Sequence, residues 1–564
     1  RLTDVTGVQT CALPIWGFNG NNIDKVNLYA KALEINAKIY ANELNVVTGE
    51  NNILQDGIVT SKNKIGSGIS IDSTLLGGIY ANTITLKSTD KGIGVNLPPE
   101  VFAQNSLYLI SDGNIISSKI VSNNQSVMTS NSGSISINDD ISARSLSLSA
   151  KESISVIDNK FIQAYDNMNI NADNIINNGN ISTIATSGQV NIHINQNLIN
   201  KGLIGGYNIY MNAWNVENIG NIYAENDLSL ISKTMNNSLN IRSKGSMDFF
   251  TNNFINNGNG SIYSGKYLSV LSFDKINASQ QFSNQGMINA NNMLIRSEVF
   301  DNSGSLYSKE KITLESQRIN NDGVVASDET FVVSSEVIKN TGEFRALDGF
   351  EKSSINVEQN IDNQGLIGGY DLDIKAKNID NSGALYSKNN MQVTAQNLDN
   401  SGLILSNKDI ELLIQNTLTN QKDGIVYAQG DLSIASDSTK DKINTINNYG
   451  LIQSDKNINI SANTLNNTAT TPSFNNTTTS QTKTVSRGGS NDYDIVTTTI
   501  QTQSMDIPTD PALILAMGDI TIDVNTLNNN YSLISSNEDI VLNANTVNNI
   551  GKVLVSTTTT VTKQ

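Results

Sequence analysis

Few side chains in this 564-residue sequence could carry out acid–base, nucleophilic or metal chemistry. The one histidine, His193, lies in the run Asn-Ile-His-Ile-Asn, where polar and apolar residues alternate as on the outer face of a β-strand. The one cysteine is Cys11. A zinc site needs several such ligands, and a Ser-His-Asp or Cys-His site needs a partnered histidine. The sequence therefore predicts no metal, cofactor or nucleophilic site, and His193 is expected to be an exposed strand residue.

Carboxylates are the remaining candidates for acid–base chemistry. Asp362, Asp380 and Asp399 recur at comparable positions of an internal repeat, so they could line up on one face. Two or three carboxylates arranged in this way are the machinery of polysaccharide cleavage. Asparagine takes the same position at Asn256 and Asn320, which is typical of solvated turns. We therefore predict no catalytic residue and keep a β-helical polysaccharide-active enzyme as an alternative.

Two further patterns could mark a binding surface. Tyrosine follows a glycine by three residues at Tyr223, Tyr307 and Tyr386. Such tyrosines could form an outward aromatic strip for carbohydrate or protein contact, but tyrosine is also an ordinary strand former on a solvent face. Calcium-binding RTX repeats instead show Gly-Gly-x-Gly-x-Asp nonapeptides. The pairs at 205–206 and 368–369 lack that period, so calcium binding through such motifs is not expected.

An internal repeat would position all these side chains, and it is clearest in Asn378–Asn400. Counted from Gly383, apolar or small residues fall at offsets 2, 4, 8, 10, 12 and 15. Closely similar offsets recur from Gly304, Gly402 and Gly450. Two short runs of alternation separated by polar turns indicate strands and corners, not a helix.

The repeat predicts an all-β fold, a right-handed parallel β-helix (β-solenoid). A unit of about 19–20 residues is too small to bury a core alone, so such units stack on one another. Each strand would then pair with its counterpart one coil away, at about 4.8 Å. Inward Leu, Ile and Val would form one core along the axis, and about twenty-five coils would make a rod of roughly 120 Å.

Glycine follows a polar residue at the expected corners from Gly179 to Gly450, mostly 18–23 residues apart. The string GLIGGY occurs at 202–207 and again at 365–370, which indicates duplication of a larger unit. We expect glycine and asparagine at these corners because both tolerate a left-handed backbone with φ above zero. Asparagines at equivalent positions are further expected to hydrogen-bond along the stack.

Composition limits the class of partner. Lys and Arg number 37 against 53 Asp and Glu, which gives a net charge of −16, and the charged fraction is 16%. Nucleic acid and anionic membrane surfaces are recognised by clusters of Lys and Arg, so neither is predicted as a partner. No window reaches the ~18 apolar residues of a membrane helix, so membrane insertion is not expected. A long chain with one cysteine is compatible with export to an oxidising compartment.

Residues 1–16 share neither the composition nor the period of the repeat. They resemble translated sequencing-adapter read-through, and we expect them to be non-native. The sequence begins with Arg1 and shows no signal peptide, which predicts that it is a fragment.

Residues 468–510 interrupt the repeat with a Thr- and Ser-rich insert. The alternation around Val496 predicts an extended hairpin outside the stack. Repeats resume over 511–564 and are expected to be truncated there. Residues 556–564 echo 477–485, which predicts the start of a second insert.

Residues 17–105 carry two long motifs in place of the regular repeat. The first consists of Asn36, Ala37, Ile39, Ala41, Leu44, Asn45, Val46, Val47, Gly49 and Asn51. The second consists of Asp72, Leu76, Gly77, Gly78, Tyr80, Ala81, Ile84, Leu86, Thr89, Gly92, Gly94 and Val95. Together they resemble the closing part of the haemagglutination-activity (two-partner secretion) domain of filamentous-haemagglutinin-like exoproteins. Residues 106–467 resemble the haemagglutinin repeats of the same family.

The resemblance implies an interior fragment of a large exoprotein that reaches the Gram-negative cell surface by the two-partner route. It implies an outer-membrane transporter that recognises residues 17–105 and a receptor on a host or neighbouring cell. The chain would be the stalk of an adhesin or haemagglutinin, or of a contact-dependent growth-inhibition toxin whose toxic domain follows C-terminally. The family's N-terminal half of the secretion domain, with its Asn-Pro-Asn motifs, is missing here. An autotransporter passenger remains a further alternative.

Overall fold

A computed structural model describes residues 17–54, 59–62, 64–275, 277–469, 474–488, 493–505, 510–551 and 555–563. The segment 1–16, expected to be non-native, lies outside them together with Cys11. The chain divides into two compact units, Arg1–Lys309 and Glu310–Gln564. No helix among the described residues is long and apolar enough to span a membrane.

The first unit is built from strands that pair mainly in parallel. They are β1 (Phe18–Ala30), β2 (Leu33–Ile35), β3 (Lys38–Thr48), β4 (Asn51–Ile53), β5 (Val59–Ser61), β6 (Ile65–Ser73), β7 (Gly78–Ser88), β8 (Lys91–Asn96), β9 (Glu100–Ser111), β10 (Ile115–Ser117), β11 (Lys119–Ser130), β12 (Ile135–Ile137), β13 (Ile141–Ala150), β14 (Ser153–Val156), β15 (Phe161–Ala164), β16 (Asn167–Asn177), β17 (Asn180–Thr183), β18 (Gln189–Asn200), β19 (Leu203–Gly206), β20 (Asn208–Asn218), β21 (Asn221–Ala224), β22 (Leu228–Asn237), β23 (Asn240–Ser243), β24 (Met247–Asn256), β25 (Ser261–Ser264), β26 (Tyr267–Leu271), β27 (Ser279–Asn284) and β28 (Met287–Asn302).

The second unit repeats this arrangement after β29 (Ser305–Asn321), which crosses the boundary between the units. Its strands are β30 (Val324–Ser327), β31 (Thr330–Asn340), β32 (Glu343–Ala346), β33 (Lys352–Asn363), β34 (Leu366–Gly369), β35 (Asp371–Lys375), β36 (Asn378–Asn381), β37 (Ala384–Ser387), β38 (Met391–Asn400), β39 (Leu403–Ser406), β40 (Ile410–Asn420), β41 (Ile425–Ala428), β42 (Leu432–Ala435), β43 (Ile443–Asn448), β44 (Leu451–Ser454), β45 (Ile458–Thr468), β46 (Phe474–Ser486), β47 (Tyr493–Met505), β48 (Leu513–Ala516), β49 (Ile520–Asn530), β50 (Leu533–Ser536), β51 (Ile540–Ile550) and β52 (Ser556–Lys563).

Each coil of the stack contains a long strand and a short one. In the second unit β38 pairs in parallel with β40, its counterpart one coil further, and β39 pairs likewise with β41. Equivalent asparagines at 381, 400 and 420 are 19 and 20 residues apart. The predicted parallel β-solenoid with about 19–20 residues per coil is therefore confirmed. Longer coils of 23 and 28 residues carry extra loop residues between the same strands.

The inward positions of the coil are those that the periodicity predicts. Leu385, Met391, Val393 and Leu398 are all buried. The alternation pauses at Gln396 and Asn397 and restarts at Leu398. The partner strand β40 has one extra residue at this point, which shifts the register and places Leu418 opposite Leu398. Full burial of an aliphatic side chain stabilises the folded state by about 1.5–3 kcal/mol relative to exposure. Because the coils stack on one another, this gain recurs at every coil.

Aromatic side chains stack along the core of the first unit. Phe254, Phe282 and Phe300 are register partners on successive coils, and all three are fully buried. Their ring centroids are 5.0 Å apart, with interplanar angles of 1° and 4°. The one-coil rise of a parallel stack thus sets the spacing of these rings.

Glycine is needed at the corners for a reason other than the one predicted. The described glycines with φ above zero are Gly49, Gly68, Gly92 and Gly488. Gly365 and Gly383 are not among them, so the predicted left-handed backbone was wrong at these repeat corners. A Cβ on Gly383 would lie 2.1 Å from the carbonyl oxygen of Gly365, one coil away. Glycine is required because successive corners place backbone directly on backbone.

Asparagines hydrogen-bond along the stack, as predicted. Each side-chain Nδ2 donates to Oδ1 of the next residue in the series. In the first unit the series is Asn177, Asn200, Asn218, Asn237, Asn256, Asn284 and Asn302, at 2.8 Å. In the second unit it is Asn321, Asn340, Asn363, Asn381, Asn400, Asn420, Asn448, Asn467 and Asn529, at 2.7–2.9 Å. These ladders hold one corner of each coil to the next.

The Thr- and Ser-rich insert forms an antiparallel sheet separate from the stack. β46 and β47 pair antiparallel along their full lengths, as the alternation around Val496 predicts. β52 pairs antiparallel with the other edge of β47. The residues that echo the insert in sequence therefore join it as a third strand.

Candidate functional site

Three aspartates line up on an outer face of the second unit. Asp362 is the register partner of Asp380, and Asp380 is that of Asp399. Parallel strands place such partners about 4.8 Å apart. Gln364 Nε2 donates to both oxygens of Asp362 at 3.2 Å, and Gln421 Nε2 donates to Asp399 Oδ1 at 2.8 Å. The alignment that the sequence allowed is therefore present. Asn320 belongs to the same column through Lys339, but the prediction was wrong for Asn256, which lies in the buried asparagine ladder.

The middle carboxylate of this column is electrostatically perturbed. Partial desolvation of the carboxyl raises the pKa of Asp380 above its ordinary value, and the negative charges of Asp399 and Asp362 raise it further. A carboxyl group with a raised pKa beside an ionised one is the pairing that glycoside hydrolysis uses. Asp380 and Asp399 nevertheless lie exposed on an open strand face, where solvent screens both charges and a substrate would not be enclosed.

A groove of about 540 Å³ in the second unit is lined by polar and apolar side chains, including Gln392 and Glu411. Gln392 Nε2 donates to Glu411 Oε2 at 2.6 Å, and Lys440 Nζ donates to Glu411 Oε1 at 3.0 Å. Burial raises the pKa of Glu411, but the hydrogen bonds from Gln392 and Lys440 outweigh it and hold the pKa below its ordinary value. Glu411 is therefore an ionised, paired group at neutral pH and a poor proton donor.

His193 lies on β18 between its register partners Asn171 and Asn212, and its side chain is exposed. This is the outer strand position that the alternation predicts. It borders a groove of about 270 Å³ together with Lys151 and Asp173. Within the described residues, no group of three or more His, Cys, Asp or Glu side chains could hold a metal ion.

The tyrosines form separate columns in the two units. In the first unit Tyr223, Arg242 and Tyr263 are successive register partners, and the Arg242 guanidinium lies 5.0 Å from the Tyr263 ring centroid. The corresponding column in the second unit is Tyr386, Leu405 and Tyr427. Tyr307 lies on β29 and is 38% exposed.

Sequence reasoning missed Tyr263 and Tyr427. Each follows a glycine by three residues, Gly260 and Gly424, so the signal was present in the sequence. Arg242 carries no such signal, because only the pairing of strands places it between two tyrosines.

The two motifs of residues 17–105 meet at one corner of the first unit. The Thr89 hydroxyl oxygen lies 3.0 Å from the Thr48 carbonyl oxygen and 2.8 Å from Asn51 Oδ1, and either of these oxygens can accept its hydrogen. The Glu50 N–H lies 3.0 Å from both carboxylate oxygens of Asp90, which is buried. Residues from both motifs therefore close this corner by hydrogen bonds.

Motif glycines shape the same region. Gly49 and Gly92 have φ of 113° and 82°, conformations that side chains rarely adopt. A Cβ on Gly77 would lie 2.3 Å from the Ile35 carbonyl oxygen. Positive φ thus occurs at Gly49 and Gly92, whereas Gly365 and Gly383 at the repeat corners, where it was expected, do not have it.

Two motif residues of this region face outward. Tyr80 stacks on Tyr40 at 5.1 Å between centroids and donates to Glu100 Oε2 at 2.6 Å. Burial, followed by the contact with Glu100, raises the pKa of Tyr80 to about 12. Leu76 is 76% exposed and its neighbour Leu75 is 91% exposed. The turn between β6 and β7 thus presents two adjacent apolar side chains to solvent.

Fold and surfaces together define a β-solenoid repeat protein, with coils closed by stacked glycines and asparagines. The chain matches the family described as Haemagglutinin repeat over residues 212–286, 281–365, 367–422, 411–488 and 496–562. These matches cover more than half of the chain. The chain therefore belongs to the haemagglutinin-repeat family, among the filamentous-haemagglutinin- and CdiA-like proteins of two-partner secretion.

Similar proteins bear the name CdiA. The chain is 37% identical over 102 residues to the "16S rRNA endonuclease CdiA" of Enterobacter cloacae, a match covering 18% of this chain and 3% of the relative. It is 33% identical over 122 residues to the "Toxin CdiA" of Escherichia coli, covering 21% and 4%. It is 38% identical over 104 residues to the "tRNA nuclease CdiA-2" of Burkholderia pseudomallei, covering 18% and 3%. The chain thus spans only 3–4% of the length of these relatives. No solved structure matches it.

Proposed function

We propose that this chain belongs to the stalk of a surface-exposed or secreted Gram-negative protein, an adhesin or haemagglutinin or a contact-dependent growth-inhibition toxin. The observation that carries the proposal is the coil-by-coil pairing of strands, which in the second unit continues from β30 to β50 and from β31 to β51. In such a stack each coil contacts only its neighbours, so length is added without changing the fold. The mechanism is mechanical: the stack holds a distal domain away from the cell and offers a repetitive surface to a receptor.

We further propose that residues 17–105 are recognised by an outer-membrane transporter. The turn with Leu75 and Leu76 supports this role because Leu76 belongs to the resemblance motif and yet lies outside the core. Exposed apolar side chains on a projecting turn are suited to contact with another protein.

Export in cells tests the proposal. The complete protein would be produced with and without the transporter encoded beside its gene, and surface protein would be measured by protease accessibility. Surface protein is expected only when the transporter is present. Export without that transporter would overturn the proposal, and an in-frame C-terminal barrel in the adjoining DNA would identify an autotransporter passenger instead.

The turn is tested in the same assay. Leu75→Ser with Leu76→Ser is expected to lower export at least tenfold. Ile65→Ser is the matched control, because Ile65 is 77% exposed on the preceding strand and lies outside both motifs. Equal export of the two variants would remove the turn from the recognition surface.

We assign no enzymatic role to the residues of this chain and place the nuclease activity named for its relatives outside them. The perturbed Asp380 supports one competing function, cleavage of an acidic polysaccharide. An assay of the chain against such polysaccharides decides between the two. Turnover that is abolished by Asp380→Asn would establish the enzyme and overturn the purely structural role.

A further inference from the structure

The Thr-rich side sheet joins the insert hairpin to β52, a strand of similar sequence from further along the chain. β47 lies in the middle, with Thr499 opposite Ser480 of β46 on one side and opposite Thr559 of β52 on the other. The hydroxyl oxygens of Ser480 and Thr499 are 3.0 Å apart. Residues 474–505 belong to the first insert, whereas β52 begins the stretch that repeats its sequence. The insert is thus already paired with a strand that resembles part of its own sequence.

The spacing of the inserts along the stack matches the width of a hairpin. The first insert leaves the stack after β45 and β52 follows β51, so two coils separate them, as the pairings of β45 with β49 and of β49 with β51 show. Two coils rise about 9.6 Å, twice the distance between parallel strands. A hairpin has two strands, and in an antiparallel sheet these also occupy about 9.6 Å.

We propose that Thr-rich hairpins are inserted after every second coil, and that neighbouring hairpins pair edge to edge to form one antiparallel side sheet along the stack. Each insert is then the docking partner of the next, and the outer edge of β52 is the site for a further strand of the β47 type. An unpaired edge exposes a row of N–H and C=O groups, which a neighbouring hairpin at the right distance satisfies. The inference concerns a surface beyond the stalk itself, and its failure would leave the stalk function untouched.

Disulfide trapping in a Cys11→Ser background tests the pairing. Thr499→Cys with Thr559→Cys joins register partners, whose Cα separation suits a disulfide. Thr499→Cys with Thr560→Cys is the matched control, because adjacent residues of a strand point to opposite faces. The first pair is expected to cross-link within one chain, at a yield at least tenfold above that of the second.

The number of coils between the inserts tests the spacing. Deletion of residues 513–532 removes one coil, because Leu513 and Leu533 are register partners, and a second copy of the same residues adds one. Cross-linking of position 499 to position 559 is expected to fall at least tenfold in both chains. A Ser480→Cys, Thr499→Cys pair within the hairpin is expected to form equally in all three chains and shows that the hairpin folds.

Equal cross-linking between 499 and 559 at one, two and three coils would overturn the proposal, because the spacing would then not matter. The proposal would also be overturned if the unaltered chain, with two coils between the inserts, formed no 499–559 cross-link while the hairpin control did form. Concentration-dependent disulfide dimers would assign the edge of β47 to a second copy of the chain and have the same consequence.

Discussion

Asn381 donates its side-chain Nδ2 hydrogen to Oδ1 of Asn400, one coil away, at 2.7 Å, and both residues are fully buried. Asn381 Nδ2 also donates to the Leu403 carbonyl at 3.1 Å. Asn400 repeats the arrangement toward Asn420 at 2.9 Å. An asparagine fits this corner because one amide group supplies both a donor and an acceptor to neighbours above and below.

Asn400→Leu is expected to destabilise the second unit by about 2–5 kcal/mol, because it leaves an N–H of Asn381 and the Oδ1 of Asn420 buried without this partner. The measurement is the free energy of unfolding in urea. Asn378→Leu is the matched control: Asn378 stands in a similar ladder, with 2.8 Å bonds to Asn360 and Asn397, but is partly exposed. Water replaces its lost bonds, so we expect a cost below about 1 kcal/mol. Equal costs would refute the role of burial.

Gly383→Ala is expected to cost more than about 2 kcal/mol, because the new Cβ would lie 2.1 Å from the Gly365 carbonyl oxygen and the backbone on both coils would have to move. Gly205→Ala is the matched control, since its Cβ would meet nothing closer than 3.8 Å. That change should be neutral or stabilise by up to about 1 kcal/mol. Thermal unfolding followed by circular dichroism distinguishes the two, and a destabilised Gly205→Ala would contradict the steric explanation.

Asp380→Asn is expected to stabilise the second unit at neutral pH. A pKa raised in the folded state means that folding favours the protonated carboxyl, so this group's contribution to stability falls as the pH rises through its unfolded and folded pKa values. Asparagine removes that loss, and the gain should stay below about 1 kcal/mol because solvent screens the column. The gain should disappear once the pH lies below the pKa of an ordinary aspartate.

Asp139→Asn is the control for which we expect the opposite change in stability. The Lys160 hydrogen bond holds the pKa of Asp139 below its ordinary value, and the two side chains are 2.6 Å apart. Its contribution is present above the unfolded pKa and is lost as the pH falls through the folded pKa. This change should therefore destabilise at neutral pH and have no effect in acid. The measurement is the free energy of unfolding in urea for both variants between pH 3 and pH 7. The explanation would be rejected if both substitutions changed this free energy in the same direction at neutral pH.

The expressed chain is expected to self-associate through β51. In the part of the chain that the structure describes, β51 pairs with β49 on one side, and Val541 and Val547 are 56% and 50% exposed. An open apolar edge recruits further strands. Light scattering should show oligomers that Val541→Lys with Val547→Lys reduces, whereas the matched polar change Asn543→Lys with Asn548→Lys reduces them less. A monomer at all concentrations would contradict this prediction.

Inward positions were predictable to the residue, because alternation in a repeat reports which side chains face the core. Leu385 and Val393 are buried where the offsets place them. The column Asp362, Asp380 and Asp399 was also foreseeable, since equal offsets in stacked coils become neighbours. The raised pKa of Asp380 could not be foreseen from the sequence, because it depends on desolvation of the carboxyl and on charges from other coils.

The sequence by itself determined the coil, its period and its inward face, since these follow from local alternation repeated at a near-constant interval. Only the tertiary structure decided why Gly383 must be glycine, which residue separates Tyr223 from Tyr263, and which strand occupies the second edge of β47. The physical reason is that a repeat specifies what each coil buries. Contacts between coils instead depend on how far successive coils rise and on where an insert leaves the stack.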